Sequence, residues 1–191
     1  KKIVAQTEAK LVIASRQTEA SARELGLPIL FVETLPDLAR RAEPIEPAAV
    51  TGSTLAEIVF TSGTTGEPKG AMLSHGNLLS NARTLRDYWG WQASDVLIHA
   101  LPVFHVHGLF VASHGALLAG AKMLWFNKFE PRATIAQMAR ATVFMGVPTL
   151  YVRMLAEPSL DRAACAGMRL FLAGSAPLLP DWVLSACAFA A

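Results

Sequence analysis

The sequence contains only two cysteines, no long apolar run and almost no net charge. Cys165 and Cys187 lie among alanines without a pattern of further ligands, which argues against a disulfide framework and indicates a reducing compartment. The best candidate for a membrane span, residues 108–120, is interrupted by His114 and is shorter than the roughly 18 residues that cross a bilayer. A formal charge of +2, with no basic cluster, argues against nucleic acid or an anionic membrane as a partner.

The first residue is a lysine rather than a methionine, so position 1 need not be a natural beginning. No apolar signal segment follows it, and we expect a cytoplasmic location, or a mitochondrial one if the source is a eukaryote. The 191 residues are enough for one well-buried core, or for one domain and part of another.

Short apolar runs alternate with helical patterns along the chain, which predicts an α/β fold built of parallel-sheet βαβ layers. The expected strands cover residues 10–15, 28–33, 57–60, 95–101, 122–126, 141–146 and 168–173. The expected helices cover residues 19–25, 74–89, 107–118, 131–139 and 148–155. Two prolines in residues 43–47 interrupt regular structure and predict a linker. The chain is thereby divided into residues 1–47, part of a first αβ subdomain with its linker, and residues 48–191, a second αβ subdomain.

The most informative segment is FTSGTTGEPKG, residues 60–70, directly after a predicted strand. Its glycines let backbone N–H groups approach an anion, its hydroxyls add donors, and Lys69 adds a compact positive charge. This combination suits a polyphosphate, although a glycine after the lysine excludes a Walker A loop. The alternative is a polar hairpin between two strands. We expect residues 61–70 to form a loop from a strand ending near Phe60 to a helix beginning near Ser74.

Three further turns follow predicted strands, and ligands of open α/β sheets bind outside the carboxyl ends of the strands. Residues 101–108, LPVFHVHG, carry His105 and His107, a pair that no other Cys, His or acidic cluster completes as a metal site. We therefore predict no metal ligands in the chain. Residues 145–149, MGVPT, are an ordinary strand-to-helix turn when taken alone. Residues 173–178, AGSAPL, are a turn of small residues whose flat surface suits a heterocycle.

Residues 60–70 resemble the phosphate-binding signature of the adenylate-forming superfamily, which includes acyl-CoA synthetases, luciferases and the adenylation domains of peptide synthetases. The resemblance covers residues 10–179. The segments FHVHGLF, MARATVFMGVPTLYVRML and LFLAGSAPLL are most similar to the malonyl-CoA synthetases of the acyl-CoA synthetase branch. The resemblance implies part of the large N-terminal domain of such an enzyme, with residues 48–191 as its truncated nucleotide- and acyl-binding part. It also implies ATP, CoA and a small carboxylic acid as ligands.

The resemblance further implies a role for each motif residue. The residues expected to hold the phosphates of ATP are Thr61, Ser62, Gly63, Thr64, Thr65, Gly66 and Lys69. The residues expected to pack on adenine are Gly174, Ser175, Ala176 and Pro177. His105 is expected to orient the carboxylate against the α-phosphate and to gate the path of the thiol, so His105 and Lys69 are the expected catalytic residues. The expected acyl pocket consists of His105, His107, Met145, Val147, Pro148, Thr149 and Ser175.

Several parts of the family pattern lie outside this sequence. They are the Thr-Glu block that holds Mg²⁺, the aspartate for the ribose, and the small C-terminal domain with its lysine. After Arg169 the sequence has no Lys or Arg, whereas malonate-selective relatives carry an arginine just after the Gly-Ser-Ala-Pro turn. The final twelve residues also differ from the family pattern, which suggests a frameshifted or truncated end.

Three hypotheses about function follow. In the first, the parent protein is an ATP-dependent acid–CoA ligase for malonate or a related small acid, and the isolated fragment is inactive. In the second, the chain is a non-catalytic, truncated nucleotide-binding fragment. In the third, it is part of a peptide-synthetase adenylation domain, against which the FHVHG block and the match over residues 143–155 argue. Because no predicted pocket residue carries a fixed positive charge, we expect weak selection of malonate over a small monocarboxylate.

Overall fold

The computed structural model describes residues 2–61 and 68–177. The chain forms two compact units, of which the first ends at Gly76 and the second begins at Asn77. The subdomain boundary expected after residue 47 stays a prediction. The architecture is α/β, as predicted, and all but one of the strand pairs in the described residues are parallel.

The first unit contains a small parallel strand pair with flanking helices. Helix α1 (Lys2–Thr7) precedes strand β1 (Val12–Ala14), which pairs in parallel with β2 (Ile29–Phe31). Helix α2 (Glu19–Arg23) connects the two strands, as predicted. Helix α3 (Leu35–Arg41) follows and has a proline in its first turn, where the fixed φ of proline is favourable. The sequence pattern predicts neither α1 nor α3, because both are short and each contains three polar or charged residues.

The phosphate-loop segment belongs to a β-hairpin. Strand β3 (Leu55–Thr61) pairs antiparallel with β4 (Lys69–Ser74), and Thr61 lies opposite Lys69 in the ladder. Helix α4 (His75–Tyr88) begins directly after β4. The predicted strand end near Phe60 and helix start near Ser74 are confirmed, but Lys69 and Gly70 of the expected loop belong to β4. The hairpin alternative therefore describes the pairing of the two strands correctly. The β4 residues lack a β-branched pattern, and they form a strand because their backbone groups pair with β3.

The second unit is built on a four-stranded parallel sheet with the strand order β6–β5–β7–β8. Its strands are β5 (Val96–His99), β6 (Lys122–Trp125), β7 (Val143–Gly146) and β8 (Leu170–Ala173). Each strand lies inside one of the predicted apolar runs, which confirms the parallel layers. Because all four strands run in the same direction, their carboxyl ends meet at one edge of the sheet.

The helices between these strands agree with the sequence pattern, with one difference. The helix expected over residues 107–118 consists of a π-helical segment (His107–Ser113) followed by helix α5 (His114–Ala119). Helices α6 (Pro131–Gln137) and α7 (Pro148–Leu155) each begin with a proline. π-Helical turns are rare and often lie at functional sites. The segment that begins at His107 is therefore a candidate part of a functional site.

The two central strands of this sheet bury side chains on both faces. One apolar cluster contains Ile98, Met138, Phe144, Tyr151 and Met154. The other contains Trp91, Leu97, Ala116, Val143 and Met145. Neighbouring residues of β5 and β7 contribute to opposite clusters, because side chains alternate along a strand. Burial on both faces explains why these strands appear in the sequence as continuous apolar runs.

The amino-terminal end of the sheet is held by the carboxylate of Asp95, which is only 2% exposed. It accepts hydrogen bonds from the Thr142 hydroxyl at 2.8 Å and from Arg169 Nε at 2.7 Å. Arg169 also forms an ion pair with it through Nη2, and the backbone N–H of Gln92 donates at 2.8 Å. Burial alone would raise the pKa of Asp95, but these donors outweigh burial and hold that pKa below its ordinary value.

We expect Arg169→Met to lower the free energy of unfolding by about 2 kcal/mol, because it leaves the Asp95 carboxylate buried without its cation. The expected loss is moderate because the Arg169 side chain is 32% exposed. The matched control is Arg132→Met, which removes an ion pair with Glu157 from an arginine that is 77% exposed and should cost less than about 1 kcal/mol. Urea denaturation followed by circular dichroism measures both losses. Equal losses would contradict the role given to Asp95.

Candidate active site

Three turns lie at the carboxyl edge of the parallel sheet. They are residues 100–108 after β5, residues 147–149 after β7 and residues 174–177 after β8. The Gly174 N–H donates to the Gly146 carbonyl at 3.3 Å, which links the ends of β7 and β8. All three turns are where the sequence predicts them. The segment of the expected phosphate loop belongs to the first unit, so its place at this edge stays a prediction.

A side-chain hydrogen bond joins the turn after β5 to the turn after β8. His107 Nδ1 and Ser175 Oγ are 3.1 Å apart, and the tautomer of the ring decides which atom donates. Burial and the neighbouring His99 ring lower the pKa of His107, which favours the uncharged imidazole. Ser175 has a φ of 65°, a left-handed conformation that few non-glycine residues adopt. The contact with His107 therefore supports a strained turn.

His105 lies beside a mainly apolar cleft of about 700 Å³. Its exposed ring is next to that of Phe104, with the ring centroids 4.6 Å apart, and its backbone N–H donates to the Pro102 carbonyl at 3.2 Å. The walls of the cleft include Trp125, Phe126, Phe129, Val147 and Leu150, and its polar side chains are His105, Asn127 and Lys128. Such a cleft can take an extended, largely apolar ligand that also carries an anionic group.

Sequence reasoning does not identify three residues of this edge, His99, Trp125 and Lys128. His99 ends β5 and is 1% exposed, and its ring stacks on that of Trp125 with centroids 4.2 Å apart. Lys128 lies in the segment that follows β6 and lines the cleft. A signal was available, since a polar residue at the carboxyl end of a buried strand is a candidate for a site. Apolar runs alone do not reveal a polar residue at the end of a strand.

The predicted phosphate-binding residues lie at the hairpin. Thr61 and Lys69 are exposed and face each other at the two ends of the loop. Ser62, Gly63, Thr64, Thr65 and Gly66 lie outside the described residues, so their part in the site stays a prediction. The register of the hairpin nevertheless brings the two ends of the motif together, and the glycines and hydroxyls lie between them in sequence.

The predicted acyl-pocket residues differ in exposure. Thr149 and Ser175 are exposed, and His107 and Val147 are half-buried. Pro148 is buried, and Met145 is 1% exposed and packs in a core cluster with Leu97 and Val143. Met145 therefore supports the turn after β7 through its packing in this core cluster. Of the adenine-turn residues, Gly174 is half-buried, and Ala176 and Pro177 are exposed.

Residues 2–61 and 68–177 are the part of the chain that the structure describes. In that part of the chain, no group of three or more His, Cys, Asp or Glu side chains is arranged to hold a metal ion. No helix there combines the length and the apolar character needed to cross a membrane.

A parallel sheet whose glycine- and histidine-bearing turns share its carboxyl edge defines an open α/β ligand-binding domain. The Thr/Gly-rich hairpin of the first unit adds a candidate anion-binding loop. The family model described as AMP-binding enzyme matches residues 1–188, and the chain belongs to this family. The resemblance seen in the motifs is thereby confirmed.

The chain is similar to several malonate-related ligases. It is 31% identical over 207 aligned residues to the mitochondrial malonate–CoA ligase ACSF3 of Homo sapiens, covering 94% of this chain and 36% of that protein. The ATP-bound crystal structure of MatB from Rhodopseudomonas palustris is 44% identical, with a TM-score of 0.89, over 97% of this chain and 39% of MatB. A malonyl-CoA ligase complex with methylmalonyl-CoA and AMP is 32% identical, with a TM-score of 0.81, over 97% of this chain and 40% of that ligase. The chain thus spans well under half of their length.

We expect Gly108→Ala to disturb the turn that carries both histidines. A Cβ at Gly108 would lie 2.3 Å from the Pro102 carbonyl oxygen and 2.9 Å from its carbon, and these backbone atoms cannot move without moving the turn. The free energy of unfolding should fall by about 2 kcal/mol, and the NMR signals of His105 and His107 should shift. The matched control is Gly167→Ala, where the atom nearest to the added Cβ would be 3.4 Å away. Its free energy of unfolding should change by no more than about 0.5 kcal/mol. Unshifted histidine signals in Gly108→Ala would contradict this packing.

Proposed function

We propose that the complete protein containing this chain is an ATP-dependent acid–CoA ligase for malonate or a related small carboxylic acid. In the first half-reaction, a carboxylate oxygen of the acid attacks the α-phosphorus of ATP and pyrophosphate leaves. In the second, the CoA thiol gives up its proton and attacks the acyl carbonyl, and AMP leaves. The observation that carries the proposal is the edge at which the turns bearing His105, His107 and Ser175 meet, in a chain of the AMP-binding family.

Both half-reactions depend mainly on positioning and on neutralising charge. We assign the β- and γ-phosphates to Lys69 and to the loop that contains residues 61–66. The β3–β4 ladder supports this assignment, because it fixes both ends of the loop at Thr61 and Lys69. A lysine at the base of a loop rich in backbone and hydroxyl donors is a suitable partner for the negative charge of pyrophosphate.

We assign adenine to the turn at residues 174–177 and the reacting carboxylate to the neighbourhood of His105. The small, largely exposed side chains of this turn leave room for a flat heterocycle. The hydrogen bond between His107 and Ser175 supports a link between the two subsites, since it joins the adenine turn to the turn that bears His105. Val147 and Thr149, at the intervening turn, are the further candidates for contact with the acid.

We assign the cleft beside His105 to the thiol-bearing arm of CoA. Its volume of about 700 Å³ and its aromatic and aliphatic walls suit an extended arm better than a small, charged acid. His105 then lies between the carboxylate and the approaching thiol, as expected of a residue that gates this path. Lys128 provides a cation at the same cleft for a phosphate group of CoA.

The proposed reaction also requires groups that the described residues do not provide. We assign the main Mg²⁺ ligand to another part of the complete protein, as the family resemblance implies. The ribose-binding aspartate and the lysine of a small C-terminal domain are assigned there as well. The 191-residue chain alone is expected to show little or no turnover. A cytoplasmic location is proposed, although the human relative is named as mitochondrial.

We expect Lys69→Ala in the complete enzyme to slow acid-dependent pyrophosphate exchange by about one to three orders of magnitude, because a charge-assisted contact to phosphate is lost. Exchange is measured at saturating ATP, with Lys122→Ala as the control, an exposed lysine at the start of β6. An unchanged rate in Lys69→Ala would remove this lysine from the site.

Exchange that is absent from the wild type with every acid would favour a non-catalytic nucleotide-binding protein. Transfer to a carrier-protein thiol but not to CoA would favour a peptide-synthetase adenylation domain.

We expect the complete enzyme with this sequence to prefer malonate over propionate by less than about tenfold, because the candidate residues around the acid carry no fixed positive charge. Lys128→Met should leave this ratio unchanged and raise the KM for CoA, and Lys122→Met should change neither. Competition between the two acids measures the ratio. A strong malonate preference that Lys128→Met abolishes would show that Lys128 reads the second carboxylate instead.

A further inference from the structure

We infer that His99 is a positioning residue for the proposed reaction, and that it holds the turn bearing His105 and His107 through a hydrogen bond from its Nε2 to the Gly108 carbonyl. The effect on the reaction rests on the proposed function, whereas the effect on the turn does not. His99 is 1% exposed, so it acts through the turn and not by contact with substrate.

The hydrogen bonds around Nε2 determine which nitrogen of the ring carries the proton. His99 Nε2 is 3.0 Å from the Gly108 carbonyl oxygen and 2.9 Å from Ser113 Oγ. The Ser113 hydroxyl donates to the same carbonyl at 2.9 Å. Because a carbonyl oxygen only accepts and the hydroxyl proton is already used, Nε2 must carry a proton to take part in this triangle.

The other ring nitrogen favours an uncharged ring. Nδ1 is buried and has no hydrogen-bond partner among the described residues. A second proton there would place a positive charge in a buried position, which is costly. Burial accordingly lowers the pKa of His99. The geometry thus selects the neutral tautomer with its proton on Nε2, which is the donor that the Gly108 carbonyl needs.

The same ring also supports a wall of the cleft. His99 stacks on Trp125 with an interplanar angle of 20°, and Trp125 lines the cleft beside His105. One residue of a central strand therefore touches the turn after β5, the π-helical segment at Ser113 and the end of β6. Apolar packing alone would supply the stacking but not the hydrogen bond to Gly108. This difference makes the two contributions separable by mutation.

Two substitutions separate the contribution of the aromatic ring from that of its N–H donor. His99→Gln keeps an amide donor near the position of Nε2 but loses the aromatic ring. His99→Phe keeps a ring that can stack on Trp125 but has no donor. The control is His114→Gln in the same helical region, whose ring contacts Phe110 and to which no role in the site is assigned.

In the complete enzyme, we expect His99→Phe to reduce the kcat of acid-dependent pyrophosphate exchange by about 10- to 100-fold, since small displacements of reacting groups cost rates of that order. His99→Gln should stay within about threefold of the wild type, and His114→Gln should match it. The melting temperatures should follow the opposite order, with His99→Phe more stable than His99→Gln, because the stacked ring is retained. Rates that follow the order of stability, or an undiminished kcat in His99→Phe, would overturn the inference.

The imidazole NMR signals of the 191-residue chain give a second measurement that does not depend on catalysis. The signals of His105 and His107 should shift in His99→Phe and stay close to wild type in His99→Gln. Signals unmoved in His99→Phe overturn the inference even if the enzyme is active. If the wild type shows no exchange with any acid, the proposed function fails, and the NMR comparison still decides whether His99 positions the turn.

Discussion

The buried carboxylate of Asp95 is the interaction on which the second unit most depends. It lies just before β5, and it accepts hydrogen bonds from Thr142 and Arg169, the residues that precede β7 and β8. Its own backbone carbonyl accepts from the N–H of Lys122 at the start of β6. All four strands are thus joined at their amino-terminal ends through one residue. A carboxylate can do this because its two oxygens offer several acceptor sites in a place that water does not reach.

This arrangement leaves the carboxyl edge available for function. With the strands fixed at one end, the turns at the other end need no regular hydrogen bonding and are held by individual polar contacts. Among the described residues, His107 with Ser175 and His99 with Gly108 make side-chain contacts of this kind between separate segments. Burial lowers the pKa of both histidines, which favours an uncharged ring in each contact.

The hairpin separates the chemical interpretation of the motif, which stays a prediction, from the predicted backbone, which differs at the residues of β4. The glycines, hydroxyls and Lys69 identify a candidate phosphate loop from composition and order alone. The strand β4 that follows was not predictable from its residues, since its apolar run is short and lacks a β-branched pattern. Pairing with β3 supplies the missing stabilisation, and this pairing is a property of two segments together. A hairpin backbone is compatible with the predicted phosphate loop, whose binding role stays a proposal.

The sequence alone determined the class of fold, the strands of the parallel sheet and the family, because continuous apolar runs and an eleven-residue motif are local signals. It also named His105 and His107 and the turn at Ser175 as site residues. Only the tertiary structure decided that Met145 packs in the core, that Lys128 and Trp125 line a cleft with His105, and that His99 supports the turn. These facts depend on which strand lies beside which and on how far each side chain is buried. Contacts between residues distant in the chain leave no periodic or compositional trace in any one segment.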